Sequence, residues 1–397
     1  MSSIKTKYLL LLLIIFMVNI IAIGAEGKLK EVNLALNKSV IVSSAEMNNG
    51  NLPQYGNDGD LYTRWAAENG EVGQWYRIDL GKEYDLTRSE IKWEHKKTVY
   101  KYIIEISNDD KEWTLAVDKK NNSDDNQIQK DDLKGKKARY VKVTSTGLDP
   151  KAWTSFYNWE IYGLSDEEVV VEKEPVVKWE LVLQDDFKGD KIDEKNWKIS
   201  DGQWAYNNEQ QYYSKEEIYL NKEEGCMRIR AQKREYRGKE YTGGHVISTI
   251  NQLYGKWEVR ARMPKTQGLW PAIWMLPEDG SWPPEIDIME LVGHKPNMIL
   301  QTFHYRDRGH KQSGKAYFGD DFSKDFHTFT AEWTPTKIYF FIDGEHQHTV
   351  AHKVPDKPMY LILNVAVGGH LPGNPDETTV FPQYMDIDYV KIYKMVE

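Results

Sequence analysis

Hydrophobic residues in this chain recur at every second position in short runs, and the period never lengthens to that of a helix. Trp75-Tyr76-Arg77-Ile78-Asp79-Leu80, Tyr102-Ile103-Ile104-Glu105-Ile106 and Ala138-Arg139-Tyr140-Val141-Lys142-Val143 alternate in the first half. Trp257-Glu258-Val259-Arg260-Ala261-Arg262 and Ile338-Tyr339-Phe340-Phe341-Ile342 do so in the second. Successive residues of a strand point to opposite faces, so such runs make half-buried strands. Turn signals follow them, as at Gly81-Lys82 and Asn108-Asp109-Asp110. Many short strands with frequent turns predict an all-β chain built of sandwiches.

The 397 residues suffice for two domains. Residues 165–178 are acidic, contain Pro175 and lack glycine and aromatics, as an extended connector would. The expected division is a signal peptide over 1–25, domains over 30–164 and 179–396, and a linker over 165–178. Lys5 and Lys7 precede the apolar run from Tyr8 to Ile23, and Gly24-Ala25 offers a small-residue cleavage site. Asn19 interrupts that run, which is shorter than the roughly 20 residues of a membrane span. Export with cleavage is therefore expected, giving a secreted or cell-surface protein with no membrane contact afterwards. The lone Cys226 excludes an internal disulfide and sits in a strand-like run, as a buried structural thiol would. A net charge of −9 argues against nucleic acid as a partner and suits a neutral one. The 14 tryptophans and 24 tyrosines suit β cores, and flat indoles also stack on sugar rings.

In the first domain, Asn57-Asp58-Gly59-Asp60, Thr63-Arg64-Trp65, Gln74-Trp75 and Trp159-Glu160-Ile161-Tyr162-Gly163 occur in order. Together they resemble the discoidin, or coagulation-factor 5/8 type C, fold, which includes family 32 carbohydrate-binding modules. The resemblance implies a jelly-roll-like sandwich with a carbohydrate ligand at its loops. Asp58, Asp60 and Thr63 offer hard oxygens in one tight loop, as calcium prefers. The family's closing glutamate matches Glu160, so a structural calcium is expected there. His95, Trp153 and Tyr157 are candidates for sugar contact, with core or surface roles equally open.

The chemistry is expected on Glu285-Ile286-Asp287-Ile288-Met289-Glu290. Glu285 and Asp287 share a strand face, and Glu290 falls on the other unless a β-bulge adds one residue. With the bulge the glutamates sit like residues four apart, about 13 Å between Cα atoms. Long side chains leaning together can bring that to the roughly 5–5.5 Å of a retaining carboxylate pair. No basic residue alternates with these acids. Three like charges on one face raise one another's pKa, so one glutamate can stay ionised while another keeps a proton.

The segment resembles the signature of glycoside hydrolase family 16 in its bulged form. So do Asn207-Asn208-Glu209, the run Tyr254 to Arg262, the run Gly268 to Pro277, Phe326 to Phe329, Ala331-Glu332-Trp333 and Met385 to Lys391. The resemblance implies a concanavalin-like β-jelly roll with an open cleft and a retaining mechanism. It makes Glu285 the nucleophile, Glu290 the acid/base and Asp287 the residue that tunes both. Asn208, Arg260 and His304 match cleft positions, and Trp270, Trp274 and Trp282 are candidates to stack on glucosyl rings. A second calcium is implied on the convex face, with Asp388 and the backbone of Gly225 as ligands. No catalytic cofactor is expected. Met289 and the run Trp270 to Pro277 favour endo-cleavage of 1,3- or mixed 1,3-1,4-β-glucan, by a protein expected to act as a monomer. The alternatives are a non-catalytic β-glucan recognition protein, which would have lost the glutamates, a transglycosylase, or a relative acting on lichenan or agar-type galactan. Removal of residues 26–165 is expected to leave cleavage of soluble substrate largely intact.

Overall fold

The computed structural model describes residues 29–149, 152–166, 177–203 and 206–396. The expected signal peptide and most of the expected linker lie outside these residues. No helix among the described residues is long and apolar enough to cross a membrane.

The first domain is an antiparallel sheet system around two long strands, Trp75–Trp93 and Ile128–Leu148, which pair along most of their length. Its alternating residues converge on an aromatic core of Trp65, Tyr76, Trp93, Phe156 and Trp159.

The second domain packs two sheets face to face. Among the described residues, one has seven strands and the other ten. The seven-stranded sheet carries, side by side, Met359–Val367, Leu269–Pro277, Glu285–Glu290, Met298–Arg306 and the edge strand His310–Phe318. On Leu269–Pro277, Leu269, Ile273 and Met275 are fully buried between the sheets. Trp270 and Trp274 alternate with them and lie on the opposite face, away from the core. Cys226 is buried, as expected, and burial pushes its thiol up to about 12.

The first domain lies against the side of this sandwich where the strands His310–Phe318 and Glu345–Val350 end the two sheets. Ser313 Oγ donates to Asn49 O at 3.4 Å, and Tyr55 OH donates to Ala351 O at 2.7 Å. The ring of Tyr62 meets those of Tyr339, Phe341 and His346. Lys337 Nζ donates to Asp60 Oδ2 at 2.7 Å, with only 8% and 14% of the two side chains exposed. At Gly50, φ is +75° and an added Cβ would lie 2.3 Å from His352 Nδ1, so only glycine fits this contact. Covering exposed strand edges in this way removes a template for unwanted pairing.

Candidate active site

The odd count in Glu285–Glu290 is resolved as the alternation required. Against Leu269–Pro277, Ile273 pairs with Met289 but Trp274 pairs with Asp287, which leaves Ile288 as the extra residue. Against Met298–Arg306, Asp287 pairs with Thr302 and Glu290 with Leu300, so Gln301 alone faces two residues. Ile288 and Met289 are both buried in the core, and the bulge turns Glu290 back to the face of Glu285. Gln301 Nε2 donates to Ile288 O at 3.1 Å, satisfying a carbonyl displaced from the ladder.

Each glutamate has an indole partner. Trp282 Nε1 donates to Glu285 Oε2 at 2.8 Å, and Trp270 Nε1 donates to Glu290 Oε1 at 2.9 Å. Trp274 Nε1 instead donates to Asn364 Oδ1 at 2.7 Å, from the neighbouring strand. Trp282 is 49% exposed, which leaves a flat ring face for a ligand. His304 pairs across the sheet with Glu285, and its Nε2 lies 3.1 Å from Asp287 Oδ2 and 3.8 Å from Glu285 Oε1. Asn208 meets His370 at 2.9 Å in a loop beside Trp270. Gly369 has φ +112°, and an added Cβ would stand 3.2 Å from the indole ring of Trp270. A side chain there would press on the ring that holds Glu290.

Burial dominates the electrostatics. It pushes Glu285 up to about 8, with help from the charge of Asp287 and opposition from His304 and the Trp282 N–H. Burial also pushes Glu290 up to about 7, against the pull of the Trp270 N–H. Asp287, 2% exposed, is held well above the usual carboxylate range by burial and then by the charge of Glu290. Burial thus raises all three carboxyls above the ordinary carboxylate range. Acids poised near neutrality are what general acid–base catalysis needs.

Three groups of expectations require correction. Arg260 is not in the cleft. It lies on the ten-stranded sheet, where Val259 and Ala261 point into the core, so Arg260 points outward and bonds Asp388. Asp388 is the bulged residue opposite Arg260 and Ala261. Its carboxylate is therefore committed to a guanidinium, and that residue does not fit a calcium ligand here. Gly225 sits in the turn before Cys226–Tyr236, with φ +64° and its N–H donated to Asn221 O. In the first domain Asp58, Asp60 and Thr63 do share a loop, but their oxygens serve protein donors. Asp58 accepts from Asp60 N and Thr63 Oγ1, and Asp60 accepts from Tyr62 N and Lys337 Nζ. Glu160 accepts from Asn158 and Tyr162 instead of joining them. The Lys337 ammonium supplies a positive charge at Asp60 alone, where a calcium shared by the loop was expected.

Sequence reasoning did not single out His310, Asn364, His370 or Lys337. A signal existed for His310: the turn Asp307-Arg308-Gly309, with positive φ at Arg308 and Gly309, pairs Arg306 with His310. Hence His304 and His310 share a face.

Residues 198–391 match the family model for glycosyl hydrolases family 16, and residues 39–161 match that for the F5/8 type C domain. A beta-glucanase from Rhodothermus marinus is 35% identical over 198 residues, 44% of this chain and 69% of that protein. An endo-1,3-1,4-beta-glycanase from Rhizobium meliloti is 37% identical over 168 residues, 42% of this chain but 36% of that protein. The laminarinase catalytic domain from Thermotoga maritima superposes with a TM-score of 0.51 at 36% identity, covering 55% of this chain and 100% of that one.

Proposed function

Because the chain belongs to the glycosyl hydrolases of family 16, with an F5/8 type C domain ahead of the catalytic one, we propose that it cleaves a 1,3- or mixed 1,3-1,4-β-glucan internally with retention of configuration. The observation that carries the reading is the bulged strand, which sets Glu285 and Glu290 on one face with an indole N–H on each. The laminarinase and beta-glucanase relatives support the choice of glucan.

Protonation decides which glutamate attacks. Part of the upward push on Glu285 presupposes a charge on Asp287. Asp287 is the most deeply buried of the three and keeps its proton, so that push vanishes. The Trp282 N–H, which donates to Glu285, favours its ionised form. The mechanism takes Glu285 as the ionised carboxylate, held by the Trp282 N–H, and Glu290 as the carrier of the proton. Glu285 attacks the anomeric carbon, the glycosidic C–O bond breaks, and Glu290 delivers its proton to the leaving oxygen. The Trp270 N–H stabilises the carboxylate left on Glu290. Glu290 then takes a proton from water, which attacks the same carbon and releases Glu285.

The same reading takes the protein to be an exported monomer whose first domain also meets carbohydrate. Reducing-sugar release from laminarin, barley β-glucan, lichenan and agarose tests the substrate. Laminarin or barley β-glucan should be cut fastest, and Glu285→Ala should abolish release. Preferential cutting of agarose would overturn the glucan assignment, and undiminished activity of Glu285→Ala would overturn the mechanism.

A further inference from the structure

Behind the carboxylates stands a second histidine. His310 lies across the hairpin from the strand of His304, and His304 Nδ1 meets His310 Nε2 at 2.8 Å. The two rings stack at 5.1 Å and 21°. The same His310 ring lies 4.8 Å from that of Trp282, whose N–H holds Glu285. His310 thus touches the imidazole and the indole that flank Glu285. Arg306 Nη2 donates to Trp282 O at 2.9 Å and ties the same hairpin to the Trp282 loop.

We propose that His310 is a positioning residue for the reaction: it holds His304 with its Nε2–H toward Asp287 and Glu285 in both protonation states of His304, and it backs Trp282. Nε2 of His304 faces two carboxyl groups and therefore carries hydrogen. When His304 is neutral, its Nδ1 must accept, and His310 Nε2–H donates. When His304 is charged, its Nδ1–H donates, and His310 must accept at Nε2 with its own hydrogen on Nδ1. An imidazole can change from donor to acceptor at one position by exchanging tautomers, and a glutamine can do so by flipping its amide. An aliphatic or phenyl side chain cannot. Burial and the neighbouring His304 and Arg306 lower the pKa of His310, which favours the neutral ring that this exchange needs.

The proposal rests on the assignment of Glu285 as nucleophile, and the test separates the two. His310→Phe keeps a ring against Trp282 and removes the nitrogen, whereas His310→Gln keeps a reversible hydrogen bond and removes the ring. The full chain is assayed on laminarin across pH, with circular dichroism and melting temperature as checks of folding. His310→Phe should lower kcat about tenfold, the size of one hydrogen bond to a charged partner, with KM little changed. A charged His304 favours ionised Glu285, so weakening that charge should move the acid limb of kcat/KM to higher pH. His310→Gln should recover most of kcat and raise KM, because Trp282 loses its backing. A folded His310→Phe variant with wild-type kcat and an unmoved acid limb would overturn the proposal. If Glu285→Ala also retains activity, the nucleophile assignment has failed; if only His310→Phe is silent, the positioning role alone has failed.

Discussion

Trp270 offers the sharpest handle on the acid. Its Nε1–H donates to Glu290 Oε1 at 2.9 Å and is the largest influence opposing the burial that raises Glu290 to about 7. Trp270→Phe removes the donor and keeps an aromatic ring. A hydrogen bond to a charged group contributes about 1.5–3 kcal/mol. One pKa unit corresponds to about 1.4 kcal/mol, so the loss should raise Glu290 by about one to two units. The sign follows from the role. Glu290 must be protonated to donate, and a higher pKa keeps it protonated further into alkali. The alkaline limb of kcat/KM should therefore move up by about one to two pH units. The plateau should fall about ten- to a hundredfold, since the carboxylate formed as the proton leaves has lost its donor. The assay is initial-rate hydrolysis of laminarin between pH 4 and 10 with wild type and variant side by side. An alkaline limb that stays in place or moves down would refute the assignment of Glu290 as the acid held by this indole.

Further outcomes follow from the same structure. Burial holds Glu285 above its unfolded value, so its folded-state stabilisation is present at low pH and is lost as pH rises through the raised folded-state value. Glu285→Gln should therefore raise the melting temperature at pH 8, by an amount worth about 1–3 kcal/mol, and leave it nearly unchanged at pH 4, as calorimetry would show. Lys337→Ala removes the ammonium from Asp60 in a nearly closed contact and should weaken docking of the two domains by about 1–3 kcal/mol. Differential scanning calorimetry should then resolve two transitions where the wild type shows one. Since the oxygens of Asp58 and Asp60 serve protein donors and Asp388 holds Arg260, EDTA should leave the melting temperature within about 1 °C of its untreated value. Removing residues 26–165 uncovers Lys337, Tyr339 and Ser313, so the truncated enzyme should still cut soluble glucan at 25 °C but unfold at a lower temperature than the full chain.

Much of this site was legible because its logic is local. The odd count from Glu285 to Glu290 demanded a bulge, which the pairing with Leu269–Pro277 contains. Interactions between elements distant in sequence were not legible. Arg260 and Asp388 are 128 residues apart, and nothing in either segment announces that they bond on the outer sheet. Asp60 and Lys337 are 277 residues apart, and the carboxylate loop alone cannot distinguish an ammonium from a calcium ion as its cation. His310 falls between these cases. Its hairpin signal is local, but its meaning depends on Trp282 arriving from another strand connection.

The central claim is that Glu285 becomes covalently bonded to the sugar. An activated 2-deoxy-2-fluoro β-glucoside slows release of such an intermediate enough for mass spectrometry of the intact protein and its peptides. The account predicts a single adduct on the peptide containing Glu285, at that residue, and none in Glu285→Ala. An adduct on Glu290, or turnover of glucan with inverted products and no adduct, would contradict it.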